Sequence, residues 1–534
     1  MIKDRLILLV YSALLFVPFL GAVHLFDWDE INFAESAREM LLTGNWFQVQ
    51  INFEPFWEKP PLFFWMQVLS MKAFGINEFA ARFPNAICGI VTLQVLFSIG
   101  LKWQNRTFAW AWTLLYSGSI LPFLYFKSGI IDPWFNLFIF LSVYHLFLTL
   151  EFPQKGLLKN AAIAGLFSGL AILTKGPVGL LLAILTFFVW LIFNRFKKRV
   201  SPISVLVFAM TAALVSSAWF GYEVYKNGPW FLIEFIQYQI DLFSRPVAGH
   251  SQPFYYHFVV VLIGCFPASI FAIPAFSRKF QGDKFYLSAW MKYLFWVVMI
   301  LFSIVTTKIV HYSSMSYIPL TYLAALYLVR VQSENRSLNI WLKRSVAVLG
   351  YIIGIAIFIF PILLYNRSIF IPYIKDTFVQ GNLSADIPSL GIEWIAGLLF
   401  LTTISLVIWI HKSTLQKRFL ILSVGLSLSL LSTMILVVPM IESFSQRSLI
   451  NFFEGNKGSE SVFIPAYFKT YAHYFYGKTT EKMPSNLDFR PENIANNKVF
   501  IVCKVQHKDK LLASNKNLRY LSEGGGYVFF LSKN

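Results

Sequence analysis

Residues 160–195 read NAAIAGLFSGLAILTKGPVGLLLAILTFFVWLIFNR. A helix needs about 20 mostly apolar residues to cross a bilayer's hydrocarbon core, so this stretch is too long for one span and long enough for two. Lys175-Gly176-Pro177 is the break, because Gly and Pro together interrupt helices and make tight turns. The stretch therefore predicts spans over 160–174 and 177–195, joined by a turn that carries a lysine. Eleven further stretches meet the same test: 5–26, 80–101, 107–126, 131–150, 202–221, 255–276, 288–307, 313–331, 345–365, 390–410 and 419–440. The expected fold is an α-helical polytopic membrane protein of about 13 transmembrane helices.

Composition agrees. Of 534 residues, 57% are hydrophobic and only 13% charged, with 56 Phe and 16 Trp and a mean hydropathy of +0.59. Soluble domains carry roughly 25% charged residues. The net charge of +18 could suggest nucleic acid, but the basic residues are placed otherwise. Seven alternate connections hold Lys3/Arg5, Lys102/Arg106, Lys155/Lys159, Arg195/Lys197/Lys198/Arg199, Arg278/Lys279/Lys284/Lys292, Arg330/Arg336/Lys343/Arg344 and Lys412/Lys417/Arg418. With thirteen spans they fall on one side, the positive-inside pattern, which sets the N-terminus in the cytoplasm and the C-terminus outside. No nucleic-acid partner is expected. The first apolar stretch could pass for a signal peptide, but no Ala-x-Ala site follows it, and an uncleaved first helix is expected. Cys88, Cys265 and Cys503 sit in apolar or strand-like runs and read as packed thiols.

The membrane domain is expected over 1–440, with long outer connections at 27–79 and 222–254 and a moderate one at 366–389. Residues 31–43 read as a short amphipathic helix ending at Gly44, and Pro61 to Phe74 as a second one too short to span. Both are expected to lie along the interface on the outer face. From 441 to 534 the composition is that of a soluble α/β domain outside the membrane, with strands at 461–468, 498–505 and 526–533 and helices at Tyr471–Tyr476 and Lys508–Ser514. Gly524-Gly525-Gly526 lacks the Lys-Ser/Thr of a phosphate loop and reads as a turn; no nucleotide or redox cofactor is expected.

Charges near a bilayer are costly and tend to mark function. Here the unusual ones fall in one layer at outer helix ends: Asp29-Glu30, Glu58-Lys59-Pro60-Pro61, Asp132-Pro133, Lys175, and Lys308 to Tyr312, with Arg245 and His250 in a nearby loop. Taken singly, each has a structural use. Asp29-Glu30 and Asp132-Pro133 could cap helices, Lys175 could snorkel, and Arg38 and Arg82 could pair with headgroups or carboxylates. Taken together they suit glycosyl transfer from a lipid phosphate. Lys and Arg stabilise the leaving phosphate, and a carboxylate tolerates the cation-like sugar carbon. On that reading Lys59, Arg245 and Lys308 clamp phosphate, Asp29 or Asp132 faces the acceptor, and Glu58 with His250 could share a divalent cation.

The stretch Asp29-Glu30, Ala34-Glu35, Ala37-Arg38-Glu39-Met40, Gly44-Asn45-Trp46, then Phe56-Trp57-Glu58-Lys59-Pro60-Pro61-Leu62, resembles the first outer loop of the aminoarabinose transferases that modify lipid A. These belong to the C-type glycosyltransferases, which include the protein O-mannosyltransferases. Further matches follow in order at Phe74-Gly75, Glu78 to Pro84, Asp132-Pro133, Leu173 to Pro177, His250 to Phe254, and Thr307-Lys308 with His311-Tyr312. The resemblance covers roughly residues 1–330. It implies a polyprenyl-phosphate sugar donor, inversion at the anomeric carbon and a site on the outer face of a bacterial cytoplasmic membrane. By position it implies Asp29 and Asp132 as catalytic carboxylates and Lys59, Arg245 and Tyr312 as phosphate contacts, with Lys308 beside them. Glu30, Arg82 and Lys175 are further site candidates, and Glu58 and His250 candidates for a divalent metal ion, Zn or Mg/Mn. Two departures bear on sugar and acceptor: Asn32-Phe33 stands where those enzymes have Arg-Tyr, and Met315 where a Pro is expected.

The expected activity is transfer of a sugar, such as 4-amino-4-deoxy-L-arabinose, from undecaprenyl phosphate to lipid A or a related glycolipid. A protein hydroxyl is the alternative acceptor, and it would need a general base far more than an ionised phosphate monoester does. A lipid or sugar transporter would instead place charges near the bilayer midplane in repeated halves, and neither is seen.

Overall fold

The computed structural model describes residues 2–244, 252–278, 280, 283, 286–409, 414–458, 460–484, 498–515 and 517–532. Among them, seven helices are long and apolar enough to cross a membrane: Glu78–Trp103, Asp132–Glu151, Leu157–Lys175, Pro202–Asn227, Leu287–Ile304, Ile340–Tyr365 and Gln416–Gly455. An eighth is gained if Tyr256–Gly264 and Ala268–Phe276, bent by 110°, make one span. The chain is thus a multi-pass helical membrane protein, with fewer full-length spans than the hydropathy suggests.

The difference comes from bends that an apolar run does not reveal. The expected span 107–126 is two helices, Arg106–Ser117 and Ile120–Phe126. At the break, a Cβ on Gly118 would come 2.9 Å from the Ser423 carbonyl oxygen of a packed neighbour. The first apolar stretch is helical only over Ile2–Phe16. The expected spans at 177–195 and 390–410 are the shorter apolar helices Val178–Phe193 and Ile395–Trp409. The Lys175-Gly176-Pro177 break is present: one helix ends at Lys175 and the next begins at Val178. Gly176 holds φ +98°, and a side chain there would also strike the ring of Phe235. Within the bundle, Gly165 and Gly169 let the Leu157–Lys175 helix lie directly against Pro202–Asn227.

The last helical run passes the expected boundary at 440 and continues to Gly455. A four-stranded sheet follows, made of Ser461–Ala466, Lys498–Lys504, Leu518–Gly524 and Tyr527–Ser532. Its spatial order is first, second, fourth, third; the first two strands are parallel and the other pairs antiparallel. Gly525 and Gly526, both at positive φ, turn the last hairpin. The strand Leu518–Gly524 was not expected, because as an exposed edge it reads Leu-Arg-Tyr-Leu-Ser-Glu-Gly with little apolar alternation.

Two cores organise the molecule. One fills the bundle around Trp112, Trp190 and Trp290. The other is shared: Leu25, Ile31, Phe33, Phe63 and Phe64 of the first outer connection pack with Phe463, Tyr476, Phe500 and Phe529 of the C-terminal domain. This corrects the expected amphipathic helix. It runs Asp29–Thr43 and is buried over Glu30 to Met40, clamped beneath the C-terminal domain rather than lying with one face in water. Its longest charged side chains are answered internally. Arg38 donates to both carboxylate oxygens of Glu35 at 2.7 Å and to the Thr479 carbonyl at 2.8 Å, while Glu39 accepts from the N–H groups of Asn52 and Phe53.

Candidate active site

Helix ends carry the site. Asp29 opens the helix Asp29–Thr43, Asp132 opens Asp132–Glu151 with Pro133 in its first turn, and Lys175 closes Leu157–Lys175. Helix starts favour anions. Lys175 Nζ lies 2.6 Å from Asp132 Oδ1, a pair almost wholly buried. The same ammonium stands 5.1 Å from the centre of the Tyr312 ring and 5.6 Å from that of Phe135. Tyr312 and His311 come from a 3₁₀ segment, Val310–Ser316, and His311 Nε2 is 4.0 Å from Asp29 Oδ2.

Glu58 and Lys59 approach from the first outer connection. Tyr238, on the helix Trp230–Ser244, donates its hydroxyl to Glu58 Oε2 at 3.0 Å and sets its ring 5.2 Å from Lys59 Nζ. Burial holds the Lys59 ammonium below its usual range, against the pull of Glu58, Asp29 and Asp132. Burial likewise depresses His311, partly offset by Asp132 and Asp29. Loss of hydration pushes the Tyr312 and Tyr238 phenols up, so both remain hydroxyls. Three carboxylates, two ammonium groups, an imidazole and two phenols therefore share one pocket of charge, where each interaction is less screened than in water.

Of the residues expected from sequence, the structure brings together Asp29, Glu58, Lys59, Asp132, Lys175 and Tyr312. It sets the others apart. Glu30 and Arg82 form a buried pair at 2.8 Å; Glu30 also accepts from the N–H groups of Phe26 and Gly129, and Arg82 donates to the carbonyls of Leu20, Val23 and His24. With its bonding spent on the chain, that pair staples the first outer connection instead of meeting a substrate. Lys308 is buried and gives its ammonium to the Val305 carbonyl at 2.7 Å, so it ties its own turn rather than clamping phosphate. Arg245 and His250 lie outside the described residues. Tyr238 and His311 were not singled out from sequence. His311 lay in a flagged segment, whereas nothing marked Tyr238, 180 residues from the carboxylate it binds.

Among the described residues no three His, Cys, Asp or Glu side chains are placed to hold one metal ion; Glu58 is engaged by Tyr238, and His250 lies outside those residues.

Residues 58–220 match the family model described as dolichyl-phosphate-mannose-protein mannosyltransferase. Among curated relatives, the undecaprenyl phosphate-alpha-4-amino-4-deoxy-L-arabinose arabinosyl transferase of Wigglesworthia glossinidia brevipalpis is 25% identical over 389 residues, 69% of this chain and 67% of that one. Transferase 1 of that name from Proteus mirabilis (strain HI4320) is 29% identical over 359 residues, covering 62% of this chain and 61% of that one. In fold, the chain is similar to the crystal structure of ArnT from Cupriavidus metallidurans bound to undecaprenyl phosphate. That likeness has a TM-score of 0.76 at 16% identity over 99% of this chain and 98% of that one. The apo form of the same protein gives 0.74.

Proposed function

We propose that this chain, a C-type glycosyltransferase that draws on polyprenyl-phosphate sugars, moves a sugar from undecaprenyl phosphate to lipid A or a related glycolipid, inverting the anomeric carbon. The observation that carries the reading is the convergence of Asp29, Lys59, Asp132 and Lys175 from four separate segments into one charged pocket. In the step, the bond from the anomeric carbon to the phosphate oxygen breaks, and its electron pair leaves with the phosphate. Lys59 meets the growing negative charge, with Lys175 held next to it by Asp132. An acceptor oxygen attacks the opposite face of the sugar. Asp29 orients that oxygen and stabilises the cation-like carbon; if the acceptor is a hydroxyl, its proton passes to Asp29.

The names of the curated relatives support 4-amino-4-deoxy-L-arabinose as the sugar. The family model over 58–220 supports a second reading, transfer to a protein hydroxyl. Either reading sets the site on the outer face of the inner membrane, with the N-terminus cytoplasmic and the C-terminal domain periplasmic. A divalent ion at the site would meet Glu58 and His250. Asp29→Asn tests the reading: membranes given radiolabelled polyprenyl-phosphate sugar should lose transfer by about 10³-fold. Undiminished transfer would remove Asp29 from the chemistry. Mass spectrometry of lipid A and outer proteins from a deletion strain separates the acceptors, and a lost protein glycan with unchanged lipid A would favour the second.

A further inference from the structure

The C-terminal domain sends a short segment, Lys469-Thr470-Tyr471, to the mouth of the Asp29 site. Lys469 is exposed, and its ammonium stands 4.8 Å from the centre of the Trp28 ring and 5.3 Å from that of Tyr471. Trp28 and Tyr471 meet edge to face at 5.2 Å. The segment is pinned there by Asp27, whose carboxylate is hydrogen-bonded to Thr470 and to the Tyr471 backbone. Trp28 directly precedes Asp29 and is 41% exposed. Tyr471 lies close enough to Glu58 and Asp29 for both carboxylates to act on its phenol.

These groups have a common chemistry. An indole offers a flat face to the C–H side of a sugar ring, and an ammonium binds a phosphate or carboxylate as a point charge. An exposed cation–π contact is worth only about 0.5–1 kcal/mol, so Lys469 can leave the rings for an anion. On the reading above, Lys59 and Lys175 face the donor phosphate, which leaves Lys469 for something else. Apolar packing elsewhere holds the domain on the bundle, and an exposed ammonium adds nothing to that.

We propose that Trp28, Lys469 and Tyr471 form the acceptor subsite, in which an anionic saccharide headgroup stacks on Trp28 and sets its phosphate on Lys469 beside Asp29. This rests on the transferase reading above and gives the C-terminal domain a direct part in acceptor binding, since it supplies two of the seat's three residues. The sugar rings and phosphates of the acceptor would be recognised there, and the donor elsewhere.

The test uses the full-length protein in detergent or proteoliposomes, with polyprenyl-phosphate sugar and lipid A carrying both phosphates. Lys469→Ala should raise the acceptor KM by about tenfold, the scale of one charged hydrogen bond. Lys469→Glu should raise it further, Lys469→Arg should restore it, and kcat at saturating acceptor should stay within about twofold. Trp28→Ala should raise the acceptor KM more than Trp28→Phe. Should Trp28→Ala fail to fold, the exposed Lys469 series decides alone. Unchanged acceptor KM in Lys469→Ala and Lys469→Glu overturns the subsite, as does a shift in donor KM instead. Failure of the wild type to transfer to lipid A at all overturns the functional reading itself.

Discussion

Asp29 and Glu30 are adjacent in the chain, yet they belong to different kinds of structure. Glu30 is buried, bound to Arg82 on both oxygens and to two backbone N–H groups besides. Asp29 is 39% exposed at its side chain, and among the described residues its ion-pair candidate is an imidazole 4.0 Å away. The first carboxylate has its partners permanently; the second is left with bonding capacity that a substrate can use. The same contrast separates Arg82, which exhausts its donors on three carbonyls and a carboxylate, from Lys59, whose ammonium faces a phenol ring and a weak 3.4 Å contact to its neighbour's carbonyl. Charge in this outer layer serves two ends, and the degree of saturation tells them apart.

That contrast can be broken by mutation. Arg82→Ala should cost about 3–5 kcal/mol of stability by stranding Glu30 in the interior, read as a large drop in the unfolding temperature in detergent. An Arg82→Ala protein that folds normally and loses only transfer would place the pair in the chemistry after all. Lys59→Ala should do the opposite: a roughly 10²-fold loss of kcat with an unfolding temperature near wild type. Tyr238→Phe should be smaller, about five- to tenfold in kcat/KM, because it removes one hydrogen bond to a charged group while keeping the ring over Lys59.

The smallest effect concerns pH. Asp27 keeps part of its surface open, yet lost hydration against the C-terminal domain pushes its carboxyl up to about 6, opposed by hydrogen bonds from Thr470 and Tyr471. A carboxyl raised in the folded state favours folding below its unfolded value near 3.8, and that favour fades as pH rises through about 6. Docking of the C-terminal domain should therefore loosen slightly between about pH 4 and 6.5, seen as faster proteolysis after residue 455. Asp27→Asn should flatten the profile; an unaltered slope in that variant would assign the dependence to another group.

How far the sequence disclosed this depends on the kind of information needed. A helix start or end could be read locally, so Asp29, Asp132 and Lys175 were placed at helix ends from Pro, Gly and apolar runs. Whether a charge is already satisfied could not be read, since the carbonyls of Leu20, Val23 and His24 that occupy Arg82 have no signature in side-chain identity. That is why Glu30, Arg82 and Lys308 were grouped with the open residues. Bends were hidden for the same reason: the break at Gly118 answers to the Ser423 carbonyl of a distant helix. The burial of the helix Asp29–Thr43 was hidden because its cover, the sheet around Phe463 and Phe529, lies more than 400 residues along the chain.

The cover over the helix beginning at Asp29 has a consequence for synthesis. Arg38 waits on Thr479, 441 positions later, and the Leu25 N–H on the Tyr476 hydroxyl, 451 positions later. Ribosomes make the chain in order, so the earliest outer segment emerges long before the residues that lock it. The transferase should consequently be silent through nearly all of its own translation and insertion, its first carboxylate set only when the last tenth or so of the protein folds over it.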